Sequence, residues 1–201
     1  MTHACPSFPL ASTRRGRLRA LAFAAALIGT GAAAGELSLG VSAGADQGRV
    51  DCVASFACDH RSSHVKLYAG YEVAPAIDVQ LAFFDAGRFR GGDTTPLGTE
   101  FGGTFKVSGL GLSAGYRWTL APEWSLTGRA GIAAVRTRFD DADIDLDSAS
   151  KSTTQPLAGL RLAYRATPQV DIGLDYDVTR FKVHTTHGPL HMLGLSVQFT
   201  F

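Results

Sequence analysis

The sequence has 201 residues, of which 45% are hydrophobic and 18% are charged, and its 19 basic and 18 acidic side chains almost cancel. This size suits a single domain, and a charge balance so close to neutrality argues against a nucleic-acid partner. No apolar stretch approaches the roughly 20 residues that a membrane-spanning helix requires.

The first 34 residues have the pattern of a cleaved secretory signal peptide. Four arginines precede an apolar segment at 20–28, and three alanines provide a small-residue cleavage site before Gly35. Arg14 and Arg15 also resemble part of a twin-arginine signal, but that route exports folded proteins, and we favour the general secretory route. The sequence therefore predicts a signal peptide over 1–34 and one domain over 35–201, which keeps 15 basic and 18 acidic side chains and a net charge of −3.

Apolar and polar residues alternate with a period of two through the rest of the chain, which predicts β-strands with one apolar face. The predicted strands are 36–44, 64–73, 77–85, 104–120, 123–138, 156–165, 169–180 and 191–201. In the fourth, Phe105 and Val107 fall on the opposite parity from Leu110 and Leu112, which predicts a bulge near Ser108 or an extension above the bilayer. The last strand ends on an aromatic residue, which is unfavourable in water and acceptable in lipid.

Three repeated segments predict short turns between these strands. Each contains a small residue, a tyrosine, a charged residue and, a few positions later, Pro75, Pro122 or Pro168. Proline cannot donate to a strand ladder, so it belongs in a turn. The prolines are 47 and 46 residues apart, which leaves room for two strands and a long loop. Short turns on one side and long loops on the other are typical of an outer-membrane barrel.

The sequence therefore predicts an all-β fold, an eight-stranded antiparallel transmembrane up-and-down barrel. Its turns would place seven aromatic residues at one edge of the bilayer, as in an aromatic girdle. These residues are Tyr71, Tyr116, Trp118, Trp124, Tyr164, Phe199 and Phe201. A soluble β-sandwich is the alternative, but the polar faces of its strands would meet water and need not match one another.

The polar faces match in charge, with five basic and five acidic residues on the inward parity. They are Lys66, Arg117, Arg129, Arg161, Arg165, Glu72, Asp78, Asp171, Asp175 and Asp177. Charges in a narrow lumen are costly alone and tolerable as pairs. Glycines on the same parity leave room for the long arginines. Because eight-stranded barrels are just wide enough for side chains to fill them, we favour a plugged lumen over an ion pathway.

From Gly109 to Phe201 the chain resembles the transmembrane domain of the OmpA family. The resemblance lies in Gly115-Tyr116-Arg117, in the segment 124–131, in 158–168 and in the aromatic last strand. It implies a location in the outer membrane of a Gram-negative bacterium, and it extends to opacity-type adhesins. It also implies that Leu195, Val197, Phe199 and Phe201 form the signal read by the barrel-assembly machinery. The peptidoglycan-binding domain of full-length OmpA-like proteins is expected to be absent.

Two cysteines in the first long loop predict a disulfide, because the exported compartment oxidises thiols. Cys52 and Cys58 would then close a short ring. His60 and His64 follow closely, so a zinc site is the alternative, but an oxidised cysteine pair cannot bind zinc.

The third loop is acidic, and its alternating carboxylates could collect calcium. The residues are Asp140, Asp141, Asp143, Asp145 and Asp147. The stretch lacks the glycine and terminal glutamate of an EF-hand loop, so we favour an exposed acidic hairpin. No cofactor is predicted.

Six cations near the outer rim could neutralise phosphates of lipopolysaccharide, although rim solubility is an equal alternative. They are Arg88 and Arg90 in the second loop, Arg136, Arg138, Arg180 and Lys182.

An enzyme that modifies lipid A is disfavoured, because His191 and Ser108 fall on strands that are not neighbours in an eight-stranded barrel. We expect a monomeric barrel that contacts outer-membrane lipid and serves envelope integrity, or surface interaction through loops that bind host or surface ligands. A narrow porin-like channel is the alternative.

Overall fold

The computed structural model describes residues 35–48, 59–94, 100–141, 150–183 and 186–201. In this part of the chain, eight strands form one closed antiparallel barrel in which each strand pairs with the next and the last pairs with the first. The strands are β1 (Leu37–Gly48), β2 (Arg61–Ala74), β3 (Ile77–Thr94), β4 (Glu100–Thr119), β5 (Trp124–Asp141), β6 (Ser150–Thr167), β7 (Val170–Val183) and β8 (Thr186–Thr200). The predicted fold is confirmed. None of the described residues lies in a helix long and apolar enough to span a membrane.

β1 closes the barrel. It makes eleven antiparallel residue pairs with β2 and eleven with β8. Beyond the last strand, the Phe201 amide donates a hydrogen bond to the Leu37 carbonyl at 2.9 Å. Closure leaves no sheet edge, so every strand satisfies its backbone groups against two neighbours, as a hydrocarbon environment demands.

The apolar side chains of the strands point outwards. Leu67, Ile132 and Leu195 are 55%, 57% and 68% exposed, whereas the intervening side chains point into the lumen. This arrangement is the inverse of a soluble domain, and it follows directly from the period-two pattern of the sequence.

Three short turns join the strands at one end, which we call the turn end. Pro75, Pro122 and Pro168 lie in the connections between β2 and β3, β4 and β5, and β6 and β7, as predicted. The seven aromatic residues of the predicted girdle are between 41% and 73% exposed. Neighbouring rings of the girdle are in contact, and the ring centroids of Trp124 and Tyr164 are 5.2 Å apart.

At the opposite end, the loop end, several strands extend further than predicted. β3 continues to Thr94, so Arg88 and Arg90 lie in a strand and not in the second loop. β5 likewise continues to Asp141. In β3 the alternation that predicts strands is interrupted by a change of parity at Gly87, but the ladder between β3 and β4 continues beyond it as far as Thr94 and Glu100.

The predicted bulge near Ser108 is wrong. β4 pairs with β5 without interruption through Ser108, and the irregularity lies in β3, between Asp85 and Arg88. Gly87 has a φ of +69° there, a conformation that favours glycine. Phe105 and Val107 keep the regular alternation of β4, and both are buried inside the barrel.

Candidate functional site in the lumen and at the rim

Charged side chains fill the half of the lumen nearer the turn end. All ten of the predicted lumen charges form ion pairs there. The pairs join Lys66 to Asp175 and Asp177, Arg117 to Glu72, Arg129 to Asp78, Arg161 to Asp175, and Arg165 to Asp171. Opposite charges that face one another across a narrow lumen neutralise each other and fill the space.

Lys66 lies at the centre of this network. Its Nζ is 3.1 Å from Asp175 Oδ2 and also donates to Asp177 Oδ2. The three side chains are 8%, 5% and 16% exposed, so little solvent screens their interaction. One cation thus joins β2 to two carboxylates of β7 across the barrel.

Arg161 and Tyr68 also belong to this network, through an ion pair, hydrogen bonds and contacts with the Tyr68 ring. Arg161 Nε is 3.6 Å from Asp175 Oδ1, and its Nη1 donates to Tyr68 Oη and, at 2.5 Å, to Gln198 Oε1. Two cations lie near the Tyr68 ring, with Lys66 Nζ 5.4 Å and Arg161 Cζ 5.3 Å from its centroid. Tyr68 and Gln198 were not predicted from the sequence, because neutral polar residues do not stand out in a charge pattern.

Arg129 shows why glycines line this lumen. Its Nη2 donates to Asp78 Oδ2 at 2.8 Å. A Cβ on Gly115 would come within 2.6 Å of Asp78 Oδ1 and 3.0 Å of Arg129 Cγ, so only glycine fits beside this pair. Gly173 leaves the same space for Arg161, whose Nε would lie 2.9 Å from an added Cβ.

The two remaining pairs lie closer to the turn end and are more open to solvent. Arg117 Nη1 is 3.4 Å from Glu72 Oε2, with side chains 29% and 24% exposed. Arg165 Nε is 3.8 Å from Asp171 Oδ1, and the arginine is 54% exposed. Solvent screening makes such exposed pairs weak, so the interior pairs dominate the network.

One buried pair was not predicted. His64 Nδ1 contacts Asp46 Oδ1 between β1 and β2, and both side chains are nearly inaccessible, at 2% and 0% exposed. His64 was expected to follow the first long loop as a candidate zinc ligand. The structure places it inside the barrel against a carboxylate, because it lies on the inward parity of β2.

The half of the lumen nearer the loop end holds an apolar cluster beside the buried His64–Asp46 pair, since Asp46 is paired in register with Met192. Its buried cluster comprises Phe84, Ala86, Phe89, Phe105, Val107, Ala133, Val135, Phe181, Leu190 and Met192, with Leu157 packed against it. The sequence carried a signal for this layer, because Phe105 and Val107 break the outward parity. That signal was attributed to a bulge or to an extension above the bilayer. No bulge is present at Ser108, and the parity marks strands that are apolar on their inner face as well.

Little space remains between the two layers. A cavity of about 10 Å³ is lined by Lys66, Arg129 and Asp177 on one side and by Phe84 and Met192 on the other. That volume is about one water molecule. A shallow recess of about 630 Å³ lies elsewhere on the barrel wall, where the small residues Ala114, Ala130 and Ala158 are neighbours.

Five of the six predicted rim cations have described side chains, and all five are exposed at the loop end. They are Arg88, Arg90, Arg136, Arg138 and Arg180. Arg136 Nη2 is 3.3 Å from Ser150 Oγ. The Lys182 side chain lies outside the described part.

The predictions for the loops remain untested. Cys52 and Cys58 lie outside the described residues, as do Asp143, Asp145 and Asp147. Within the described part, no group of three or more histidine, cysteine, aspartate or glutamate side chains could hold a metal ion.

Residues 20–201 match the family model described as the outer membrane protein β-barrel domain. The chain belongs to this family. Its location is accordingly the outer membrane of a Gram-negative bacterium, as predicted. In outer-membrane barrels of this kind the short turns face the periplasm and the long loops face the outside. The aromatic girdle therefore lies at the inner interface and the exposed cations at the outer one, which we call the outer rim.

Solved outer-membrane barrels share this architecture at low sequence identity. Neisserial surface protein A is 14% identical with a TM-score of 0.61, and the match covers 83% of this chain and 97% of that one. Ail, the attachment invasion locus protein of Yersinia pestis, is 20% identical with a TM-score of 0.50, covering 82% and 99%. OprG of Pseudomonas aeruginosa is 13% identical with a TM-score of 0.50, covering 83% and 96%. No curated protein matches the chain significantly.

Proposed function

We propose that this barrel is a non-conducting envelope component of the outer membrane that acts through its surface. The observation that carries the proposal is the two-layered lumen, in which an apolar cluster around Phe89 and Phe105 lies above the paired charges around Lys66. An ion would have to leave the charged layer and pass an apolar cluster whose buried neighbours His64 and Asp46 already bind each other, which is costly. Hydrophobic constrictions close pores by excluding water.

A narrow channel is the alternative. Rearranged ion pairs could open the charged layer, since Arg129 and Lys66 are long and bordered by glycines. The apolar layer would still have to part, because Phe84 and Met192 are only 2% and 1% exposed where the two layers meet. A channel therefore requires two separate rearrangements, whereas the sealed state requires none.

Conductance of the purified protein in planar bilayers tests the proposal. We expect no steady channels from the unmodified protein or from Arg129→Ala, because the apolar layer remains intact in both. The double variant Phe84→Ala and Phe105→Ala removes much of that layer and should allow brief openings. Steady channels from the unmodified protein would contradict a sealed lumen, and their loss in Arg129→Ala would then place the ion path in the charge network.

Specific surface activity, if the barrel has one, is proposed to reside in the long loops, which could bind host or abiotic surfaces. Ail is named for attachment and was solved with the heparin analogue sucrose octasulfate, and this is a property of that protein. For this chain the test compares binding of intact cells that carry the full protein with cells that carry versions shortened at 95–99 and 142–149. Equal binding by all three would exclude these loops as the binding surface.

We further propose that the barrel is a monomer in contact with lipopolysaccharide, and that its last strand is read by the barrel-assembly machinery. The proposal that the assembly machinery reads the last strand is supported by the outward apolar row of Leu195, Val197 and Phe199, followed by Phe201. The proposed contact with lipopolysaccharide rests on the exposed cations of the outer rim, which would face the phosphates of the outer leaflet.

A lipid A-modifying enzyme is the least supported function. His191 lies on β8, where its Nδ1 is 2.8 Å from Tyr176 Oη, and Ser108 lies on β4. These strands are on different sides of the barrel, so the two side chains cannot form a relay. Mass spectrometry of lipid A from cells with and without the protein tests this, and changed acyl or phosphate patterns would restore the enzyme.

A further inference from the structure

Three cations lie side by side on the outward face of neighbouring strands. Arg88 of β3 is paired in register with Lys106 of β4, and Lys106 is paired with Arg138 of β5. We call these three residues the basic row. Like charges directly opposite one another in a sheet repel, so this arrangement disfavours the barrel unless an anion binds it.

Little within the described part of the chain offsets that repulsion. Lys106 Nζ is 3.5 Å from Asp85 Oδ2, and both side chains are well exposed, at 44% and 37%. Neither Arg88 nor Arg138 forms an ion pair with a described side chain. Arg136 adds a fourth cation two residues along β5 from Arg138, and its contact is the neutral Ser150 hydroxyl. Four cations thus share one described carboxylate.

The backbone fixes the row in place. The bulge at Gly87 adds one residue to β3 and so changes its parity, because Phe84 and Ala86 point inwards before it and Phe89 points inwards after it. Without that extra residue, Arg88 would point into the lumen. The bulge is itself held by hydrogen bonds of 3.0 Å from the Gly87 amide to Asp85 Oδ1 and from the Arg88 amide to Ser62 Oγ.

The row lies at the level of lipid phosphates. Trp124 marks the inner interface on β5, and Arg136 and Arg138 lie twelve and fourteen residues further along that strand. With a rise of about 3.3 Å per residue and a tilt near 40°, twelve residues span roughly 30 Å, slightly more than the apolar band of about 25 Å in such barrels. The cations therefore emerge where the hydrocarbon ends on the outer side.

We propose that the basic row, with Arg136, is a binding site for the phosphate groups of one lipopolysaccharide molecule in the outer leaflet. Adjacent strands are about 4.8 Å apart, so one phosphate can contact two neighbouring cations of the row at once. The site rests on the proposed role of the barrel as an envelope component. Of the six predicted rim cations it keeps Arg88, Arg136 and Arg138, and it adds Lys106. It leaves out Arg90 of β3 and both Arg180 and Lys182 of β7.

Binding of lipid A to the purified, folded barrel in detergent tests the site. Bis-phosphorylated lipid A and the same lipid stripped of its phosphates are titrated into the barrel in an isothermal titration calorimeter. We expect the phosphorylated form to bind at least about tenfold more tightly, with an affinity that falls as salt is raised. The triple variant Arg88→Gln, Lys106→Gln and Arg138→Gln should lose that difference.

Arg138→Gln and Arg180→Gln form the matched pair of single variants, since each removes one exposed outward arginine at the rim. Only the first should weaken binding. Equal losses would mean that rim charge acts non-specifically and would overturn the site, as would unchanged binding by the triple variant. Retained heat-modifiable migration in detergent gels shows that each variant is folded.

Further probes separate the source of the anion. Inorganic pyrophosphate or sucrose octasulfate that binds the row as tightly as lipid A would overturn the assignment to a lipid. A dimer of the barrel, seen in sedimentation, that requires the cations of the basic row and is unaffected by lipid A would overturn the assignment to a lipid. It would assign the row to contact with a second copy of the chain. The outcome of this binding test does not depend on whether the lumen conducts ions. A barrel that conducts ions could still bind lipid A, and a sealed barrel could fail to bind it.

Discussion

At the scale of single residues, Lys66 is the lumen side chain whose removal we expect to destabilise the barrel most. It is the partner of both Asp175 and Asp177, and its side chain is 8% exposed. Burying an ion pair adds little net stability, but removing one partner leaves an unpaired charge in a poorly solvated place. Lys66 therefore matters mainly because its removal would leave buried carboxylates poorly neutralised, and less because of the attraction within the pairs.

We predict that Lys66→Met lowers the free energy of unfolding by about 3–5 kcal/mol, because Asp177 loses its cation and Asp175 keeps only Arg161. The matched control is Arg165→Met, which removes a cation that is 54% exposed and should cost less than about 1 kcal/mol. Urea titration of both variants in lipid vesicles, followed by tryptophan fluorescence, measures the difference. Equal losses would show that Lys66 contributes by packing alone.

At the scale of elements, the bulge in β3 determines which residues face lipid. A single additional residue at Gly87 places Phe89 in the apolar layer and Arg88 on the outside. One structural feature thus serves both the apolar seal of the lumen and the basic row at the rim. Register controls every side chain beyond it, because strand side chains alternate with a period of two.

The last strand ends in a residue that contributes little to the folded barrel. The Phe201 side chain is 73% exposed, and its recorded backbone contact is the 2.9 Å hydrogen bond to Leu37. A net value of about 1 kcal/mol for such a bond makes it a small part of barrel stability. The proposed recognition of Phe201 during assembly can therefore be tested separately from its small contribution to barrel stability.

We predict that deleting Phe201 reduces assembly in cells several-fold while folding in detergent changes little. Assembly is measured as the heat-modifiable fraction in outer-membrane preparations, and folding as the same fraction after dilution from urea into detergent. Leu120→Ala is the control, since that residue is also an exposed apolar side chain, at 60%. Equal reductions in both measurements would mean that Phe201 only packs.

At the scale of the whole molecule, closure of the barrel predicts resistance to detergent. β1 is paired along its length with both β2 and β8, so the sheet has no edge where unfolding could begin. All eight ladders must then open together, and detergent alone does not supply an alternative partner for the backbone.

We predict that the unboiled protein migrates faster than the boiled protein in detergent gels, because the closed barrel stays compact until heated. Val41→Pro should abolish the difference, since Val41 is paired with Leu67 on one side and with Val197 on the other and proline cannot donate to the ladder. Val41→Ala is the control and should behave like the unmodified protein. Mobility that is indifferent to boiling would count against the closed barrel.

The sequence by itself determined the number of strands, the face of each that meets lipid, the three proline turns and the ten charges of the lumen. These features are local, because alternation and turn chemistry act over a few residues. Even so, the same alternation failed at Phe105 and in β3, where the pattern alone could not locate the extra residue.

Only the tertiary structure decided which residues meet. Strands are staggered around a barrel, so positions far apart in the chain reach one level, as Lys66 and Asp177 do. The same stagger and the bulge at Gly87 assemble the apolar layer and align Arg88, Lys106 and Arg138. Register across a ladder depends on pairing with other strands, and no single strand's sequence contains it.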